Sequence, residues 1–356
     1  MRIIVIGAGI LGASTAYHLA RAGADVMVID AAHEGRATAA GAGIICPWVS
    51  GAEDAAFYRL YSGGARYYRE LIPALAELGE TDLGYANVGA IVVSDDAAEL
   101  TAFRDILRQR SAETPEMGAL SLLTPHEART LFPPLRADLA ALHVAGGARV
   151  DGRRMAAGLL RAAQRLGAHM EHGEAALSEG GVQFGGQRID ADRIVVCAGA
   201  WASSLIHLPI EPQRGQIVHL RLPDQDTGEW PVVLPPGSHY LLAFDDARVV
   251  AGATRETGAG LDYRVTAAGQ MEVLTEALHI APGLASATII ETRIGFRPVG
   301  PGVRPMLGRV SETLFVGNGL GAAGLTIGPF AGRLLADAAL GVPTALDLTP
   351  FEPALR

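Results

Sequence analysis

The chain of 356 residues contains no lysine, so all 29 of its Lys/Arg cations are arginine. That absence excludes a lysine nucleophile or Schiff base. Cysteine is almost as scarce. Cys46 and Cys197 lie far apart and in no CxxC. They suggest neither a disulfide framework nor a zinc site, and a reducing, cytoplasmic setting is expected. No run reaches the ~18 apolar residues of a membrane helix, so no transmembrane segment is expected; peripheral contact with the inner membrane stays open. There is no basic stripe, and the net charge is −9, which argues against a nucleic-acid partner. Only 19% of residues are charged and 49% are hydrophobic, a balance suited to buried cores rather than disorder. The length exceeds what one core usually serves, and two domains are expected.

Glycine is abundant, and it gathers where strands end. Ile3 to Ile6 form a short apolar run suited to a buried parallel strand. Gly7-Ala8-Gly9-Ile10-Leu11-Gly12 follows, then a helical stretch over 13–21 closed by Gly23. Val26 to Ile29 reads as a second buried strand with Asp30 at its end. This strand–turn–helix–strand–acid order is the dinucleotide fingerprint. Gly7 permits the tight turn, Gly9 lets backbone approach a pyrophosphate, and Gly12 lets the helix lie against the strand. The helix N-terminus favours phosphate. Asp30 can accept from both ribose hydroxyls, and its charge opposes a 2′-phosphate. The fingerprint by itself fits FAD and NAD equally.

The next segment, 31–50, is rich in small residues and carries Arg36, Thr38, Gly41 and Gly43. It is expected to line the cofactor, with Cys46 a small buried hydrophobe rather than a reactive thiol. A helix is predicted over 57–78, ended or kinked at Pro73. Its Tyr58, Tyr61, Tyr67 and Tyr68 are read as packing residues first and substrate contacts second. A strand at 88–94, an amphipathic helix at 97–110 and a capping box at Thr124–Glu127 look like parts of a second domain. Asp151 is expected to cap a helix over 153–166. A strand at 169–173 and a hairpin about Gly185-Gly186 come next. A buried strand at 193–197 then runs into Ala198-Gly199-Ala200-Trp201. Runs at 216–221, 232–234, 240–244 and 249–252 suggest an antiparallel sheet. Thr266 is expected to cap a helix reaching Ile280. A strand over 287–294 leads to Gly295-Phe296-Arg297-Pro298. A last buried strand at 313–316 enters the glycine-rich run 317–326, followed by a helix from about Pro329 to Leu340. This second junction repeats the physics of the first: backbone close to a ligand, and a helix N-terminus aimed at an electron-rich group.

Several runs, taken in their order and spacing, resemble the D-amino-acid oxidase superfamily of FAD-dependent oxidoreductases, which includes glycine and sarcosine oxidases and D-amino-acid dehydrogenases. They are GAGILGASTAYHLARAGADVMVID, ATAAGAGII, ARVDGRRMAAGLLRAA, VVCAGAWAS, RGQIV, GFRPVGPGVRPMLG and GNGLGAAGLTIGPFAGRLLADAALG. The resemblance spans nearly the whole chain. It selects FAD, held non-covalently, over NAD. It implies an α/β architecture: a Rossmann-like FAD domain from 1–48, 137–201 and 295–356, and a substrate domain from 49–136 and 202–294 on a large mixed or antiparallel sheet.

The resemblance also assigns residues. The cofactor would meet Gly7, Gly9, Ile10, Leu11, Gly12, Asp30, Arg36, Thr38, Ala39, Gly41, Gly43, Ile44, Ala175, Cys197, Ala198, Gly199, Trp201, Arg297, Gly321, Ala322, Ala323, Gly324, Leu325 and Thr326. The junction at 321–326 would stabilise the negative charge that reduction places on the flavin. Arg297, in GFRP, matches the family arginine that pairs with a substrate carboxylate, a task suited to its planar fork. Tyr240 matches a position where relatives often place an aromatic hydroxyl over the substrate. Arg304 stands where many relatives carry Asp-Gly; it either contacts a second acidic group on the substrate or faces solvent.

The implied activity is oxidation of a small amino acid, a D-amino acid or glycine-like, by hydride transfer to flavin N5. The resulting imine hydrolyses to a 2-oxo acid and ammonia, and the electrons pass to O2 or a quinone-type carrier. A secondary amine such as sarcosine or proline, a 2-hydroxy acid, and a non-catalytic flavoprotein subunit remain open alternatives, as does a homo-oligomer.

Overall fold

The computed structural model describes residues 1–353, so the last three positions of the 295–356 segment lie outside the described residues. The opening strand, Arg2–Ile6, is buried on both faces. Ile3 and Val5 pack into the core beneath the helices, and Ile4 and Ile6 into a separate core on the opposite face. That is the period-two alternation of a central strand. It pairs in parallel with Asp25–Asp30 on one side and Arg193–Val196 on the other. The six-stranded sheet runs Met306–Arg309, Leu314–Asn318, Arg193–Val196, Arg2–Ile6, Asp25–Asp30, His169–His172, parallel except for its first edge strand. The chain leaves Arg2–Ile6 to one side and later returns on the other. The carboxyl ends of these strands therefore flank a crevice at a topological switch point.

The helix Ile10–Arg21 packs on both Gly152–Arg165 and Gly324–Leu340. A three-stranded sheet centred on Gly181–Phe184 shares the opposite core. Asp151 caps its helix as expected, accepting from the backbone N–H groups of Arg153 and Arg154 at 3.0 and 3.2 Å. The last helix begins at Gly324, not at Pro329. Pro329 sits inside it, and the carbonyl that its missing N–H leaves free, that of Leu325, accepts from the Tyr68 hydroxyl at 2.6 Å. The helix at Ala55–Glu77 likewise runs on through Pro73 rather than ending there, carried by buried Leu71 and Leu75 on either side.

The second large sheet has eight strands, in the order Thr288–Val299, Glu211–Arg221, Arg248–Gly252, Tyr240–Ala243, Val232–Leu234, Ala90–Ser94, Ala140–Val144, Leu120–Leu123. It is mixed, because Val232–Leu234 and Ala90–Ser94 pair in parallel. The segment 137–201 therefore supplies strands to both large sheets. Thr288–Val299 continues past Ile294 through GFRP. It is an edge strand, so Pro298 sacrifices no ladder bond. That strand is stitched to the segment after Asp30: Phe296 donates its N–H to the Gly35 carbonyl at 2.8 Å. The capping box at Thr124–Glu127 forms as expected. Among the described residues, no helix is long and apolar enough to cross a membrane.

Candidate active site

Gly7 adopts φ +103° and donates its N–H to the Ile29 carbonyl at 2.8 Å. A Cβ there would press on the carbonyl of Cys197, and one at Gly12 would collide with the carbonyl of Gly7. The glycines thus let two strands and a helix converge. Gly9 is the extended residue before the helix, and the Ile10 N–H donates to Thr38 Oγ1 at 2.9 Å. Buried Asp30 accepts from Arg36 Nη1 at 2.8 Å through Oδ2, while no described residue donates to its Oδ1. The second junction approaches from the other side. Gly319 and Gly321 take φ +75° and +53°, and the helix begins at Gly324. Asn318 braces this turn. Its Oδ1 accepts from the Gly319 N–H at 2.7 Å, and its Nδ2 donates to the Gly199 carbonyl at 3.0 Å.

One cavity of about 350 Å³ joins these parts. It is lined by Gly7, Gly9, Ile10, Leu11, Asp30, Arg36, Thr38, Gly41, Gly43, Ile44, Ala175, Cys197, Ala198, Gly199, Trp201, Tyr240, Arg297, Gly321, Ala322, Gly324 and Leu325. Four of the expected residues are not on its wall. Gly12 and Ala323 are packed inside. The Ala39 carbonyl accepts from Arg153 Nε at 2.9 Å, and Thr326 Oγ1 donates to the Ile44 carbonyl at 2.9 Å. Cys46 and Cys197 are buried, and burial pushes both thiols up to about 12. They stay protonated and unreactive.

Another wall of the cavity is built by the eight-stranded sheet. Arg297 and Tyr240 stand half-buried on its wall. Gly215 makes room for the Arg297 guanidinium, since a Cβ there would lie 2.6 Å from Nη1; Gly252 does the same for the Tyr240 ring. Arg297 Nη1 donates to the Thr254 carbonyl at 3.1 Å, and no described carboxylate pairs with it. Burial lowers the Arg297 pKa, and burial raises that of Tyr240 against the pull of the neighbouring guanidinium. The Tyr240 hydroxyl thus keeps its proton at neutral pH, and an arginine is a donor only.

Sequence reasoning missed His33, Ser238, Asn318 and Arg255 on this wall. His33 stacks on Trp201 with ring centroids 4.7 Å apart. Arg255 follows the strand Arg248–Gly252, whose run VVAGAT ends in small residues as VVCAGA does. That repeated pattern was the signal available. Arg304 does not line the cavity. It pairs at 2.8 Å with Asp54, the cap of the Ala55–Glu77 helix. Tyr61 does reach the wall, and burial pushes its pKa up to about 12.

The DAO family profile, FAD dependent oxidoreductase, matches residues 2–338. The chain belongs to that family. It is 48% identical over 364 residues to the uncharacterized oxidoreductase YurR of Bacillus subtilis (strain 168), covering 99% of this chain and 98% of the relative. Its fold is similar to that of iminodiacetate oxidase (IdaA) from Chelativorans sp. BNC1, with 54% identity, TM-score 0.95 and 99% of each chain covered. It is also similar to glycine oxidase from Geobacillus kaustophilus, with 26% identity, TM-score 0.85, and 99% of this chain and 98% of the other covered. This DAO-family protein is an FAD-dependent oxidoreductase of amino acids or amines. The crevice at the switch point, the glycine turns and an Asp30 oxygen without a described donor fit a dinucleotide.

Proposed function

We propose that this chain oxidises a small amine carrying an α-carboxylate, with Arg297 as the carboxylate clamp. The observation that carries the reading is the Arg297 guanidinium. It stands on the wall of the cavity that begins at the glycine fingerprint, has no acidic partner among the described residues, and leans on one backbone carbonyl. A guanidinium held this way costs more to leave unpaired than to satisfy with a bidentate carboxylate. The Tyr240 hydroxyl, its proton retained by burial, donates to the same substrate. FAD, held at the glycine turns about Gly7 and Gly321 with its ribose at Asp30, would supply the hydride acceptor for the substrate α-carbon. Among the described residues the acids on the wall are Asp30, which is paired with Arg36, and Glu174. No side-chain base is required if the amine binds neutral. The chain's part is to orient and desolvate. The imine then hydrolyses in water to a 2-oxo acid and ammonia or an amine.

A secondary amine is the second reading, favoured by the 54% identity to iminodiacetate oxidase. We also read the six-stranded sheet and its helices as the cofactor domain and the eight-stranded sheet as the substrate domain, with a boundary after 144 rather than at 137. The remaining cofactor contacts expected from the family are part of the same proposal. The test is an anaerobic visible spectrum of the purified protein during addition of glycine, N-methylglycine, iminodiacetate, and D- and L-amino acids. Bleaching of the oxidised-flavin bands by one of them supports the reading, and readmitted air separates O2 from a quinone-type carrier by the rate at which colour returns. A yellow protein that none of them bleaches sinks it.

A further inference from the structure

Gly199 and Gly321 make a pair. Each takes φ +53°, each lines the cavity, and a Cβ built on either would meet nothing of the protein within 4 Å. Gly7 and Gly12 differ, because there a Cβ would strike the Cys197 and Gly7 carbonyls. At Gly199 and Gly321 the chain instead bares its backbone to open space, as a turn does where a ligand comes close. The two turns follow neighbouring parallel strands, Arg193–Val196 and Leu314–Asn318. Asn318 spans them. It is 2% exposed, its Oδ1 accepts from the Gly319 N–H at 2.7 Å, and its Nδ2 donates to the Gly199 carbonyl at 3.0 Å. A flipped amide would set donor against donor and acceptor against acceptor, so both arms are fixed. Among the described residues no other side chain bonds one turn to the other.

We propose that Asn318 is a positioning residue for the flavin cofactor: it sets the gap between the Gly199 and Gly321 turns, and through that gap how tightly the cofactor is held. With the Gly319 N–H and the Gly199 carbonyl both engaged inside the protein, each turn is held in one conformation before the cofactor arrives, and less ordering has to be offset on binding. The Gly199 turn leads into Trp201, which stacks on His33, so the same brace fixes that aromatic wall. An amide suits the position because one arm must accept and the other must donate. Of the charged residues on the elements packed around Asn318, Arg193 and Arg309 stand at the other ends of their strands, Glu211 is exposed, and Arg297 lies on the cavity wall; none is bonded to it. The role does not depend on what Arg297 binds.

The test is Asn318→Asp, which keeps the size of the side chain. Protonated, the carboxyl still accepts from Gly319 and donates to Gly199. Ionised, it turns a charged oxygen on the Gly199 carbonyl. Burial beside a carbonyl lifts its pKa above the ordinary value of about 4. Flavin release is followed by FAD fluorescence after dilution of the holoenzyme, wild type and variant, at pH 5 and pH 9, with the wild-type rate at each pH as the reference. At pH 5 the variant is expected to release FAD within about threefold of wild type, and at pH 9 about 10- to 100-fold faster, as for one buried hydrogen bond lost. The visible bands of the bound flavin should shift over the same pH range, while far-UV circular dichroism stays constant. Release at the wild-type rate at both pH values overturns the proposal. So does release accelerated equally at both, which marks a packing defect. If Asn318→Asp cannot be isolated with flavin even at pH 5, Asn318→Ser carries the test, because it drops the Gly199 bond without adding a charge: faster release than wild type at both pH values supports the brace, and unchanged release overturns it.

Discussion

The Tyr68 hydroxyl donates to the carbonyl of Leu325 at 2.6 Å, on the buried seam between the Ala55–Glu77 and Gly324–Leu340 helices. Pro329 has no N–H to offer that carbonyl, so the tyrosine completes a helix that the proline interrupts. The helix N-terminus lies directly on the cavity, through Gly324 and Leu325. Tyr68→Phe leaves a buried carbonyl unpaired, which costs about 1–3 kcal/mol. A thermal melt of the flavin-loaded protein should show a lower Tm for the variant. An unchanged Tm would mean that another group satisfies Leu325.

Arg297 should not tolerate its nearest chemical relative. Lysine keeps the charge but loses the planar fork. Arg297→Lys is expected to lower kcat/KM by about tenfold or more, and Arg297→Ala by about 100-fold or more, with flavin still bound. The effect should lie chiefly in KM. A lysine variant with wild-type kinetics would reduce Arg297 to a point charge.

His219 links stability to pH. It is 1% exposed, and burial, together with Arg293 and Arg248, lowers its pKa from 6.5 to about 3. The folded protein therefore holds it neutral where the unfolded chain protonates it. The stabilisation is fully present above about pH 6.5 and is lost as pH falls toward 3. At pH 5 the loss is about 2 kcal/mol. The Tm of the wild type should drop more between pH 7 and pH 5 than that of His219→Gln; equal drops would assign the acid sensitivity to carboxylates alone.

Cys46 and Cys197 should be silent in the native state. Their thiols, pushed to about 12, offer almost no thiolate at pH 8. Iodoacetamide should label neither until the protein is unfolded, and acid precipitation should release all of the flavin to the supernatant. Rapid native labelling, or flavin that stays with the pellet, would contradict the non-covalent reading.

Much of this protein is local and was legible in the sequence. The close approach of Gly12 to Gly7, the cap at Asp151 and the capping box at Thr124 depend on residues a few positions apart, and all form as the residue types require. Arg297 and Tyr240 were legible only through family resemblance, as single positions in GFRP and a short strand. The errors arose where a local rule met a distant partner. Pro329 read as the start of a helix and Pro73 as the end or kink of one, yet Tyr68 and buried leucines from elsewhere on the helix let the helices run through both positions. The strand read over 287–294 continues through GFRP to Val299, because Pro298 is tolerated at the sheet edge that pairing with Glu211–Arg221 creates.

Charge pairing was the least legible of all. Composition established that every fixed cation is an arginine, but not which arginines are neutralised. Arg36 meets Asp30 from six positions away, and Arg304 meets Asp54 from 250. Arg255 and Arg297 reach one cavity by way of two different strands, with no described acid between them. Local sequence determined the turns, caps and buried strands, because those energies act between near neighbours. Which charges were left free to face a substrate was decided by the tertiary structure, since a salt bridge depends on distance in space rather than along the chain.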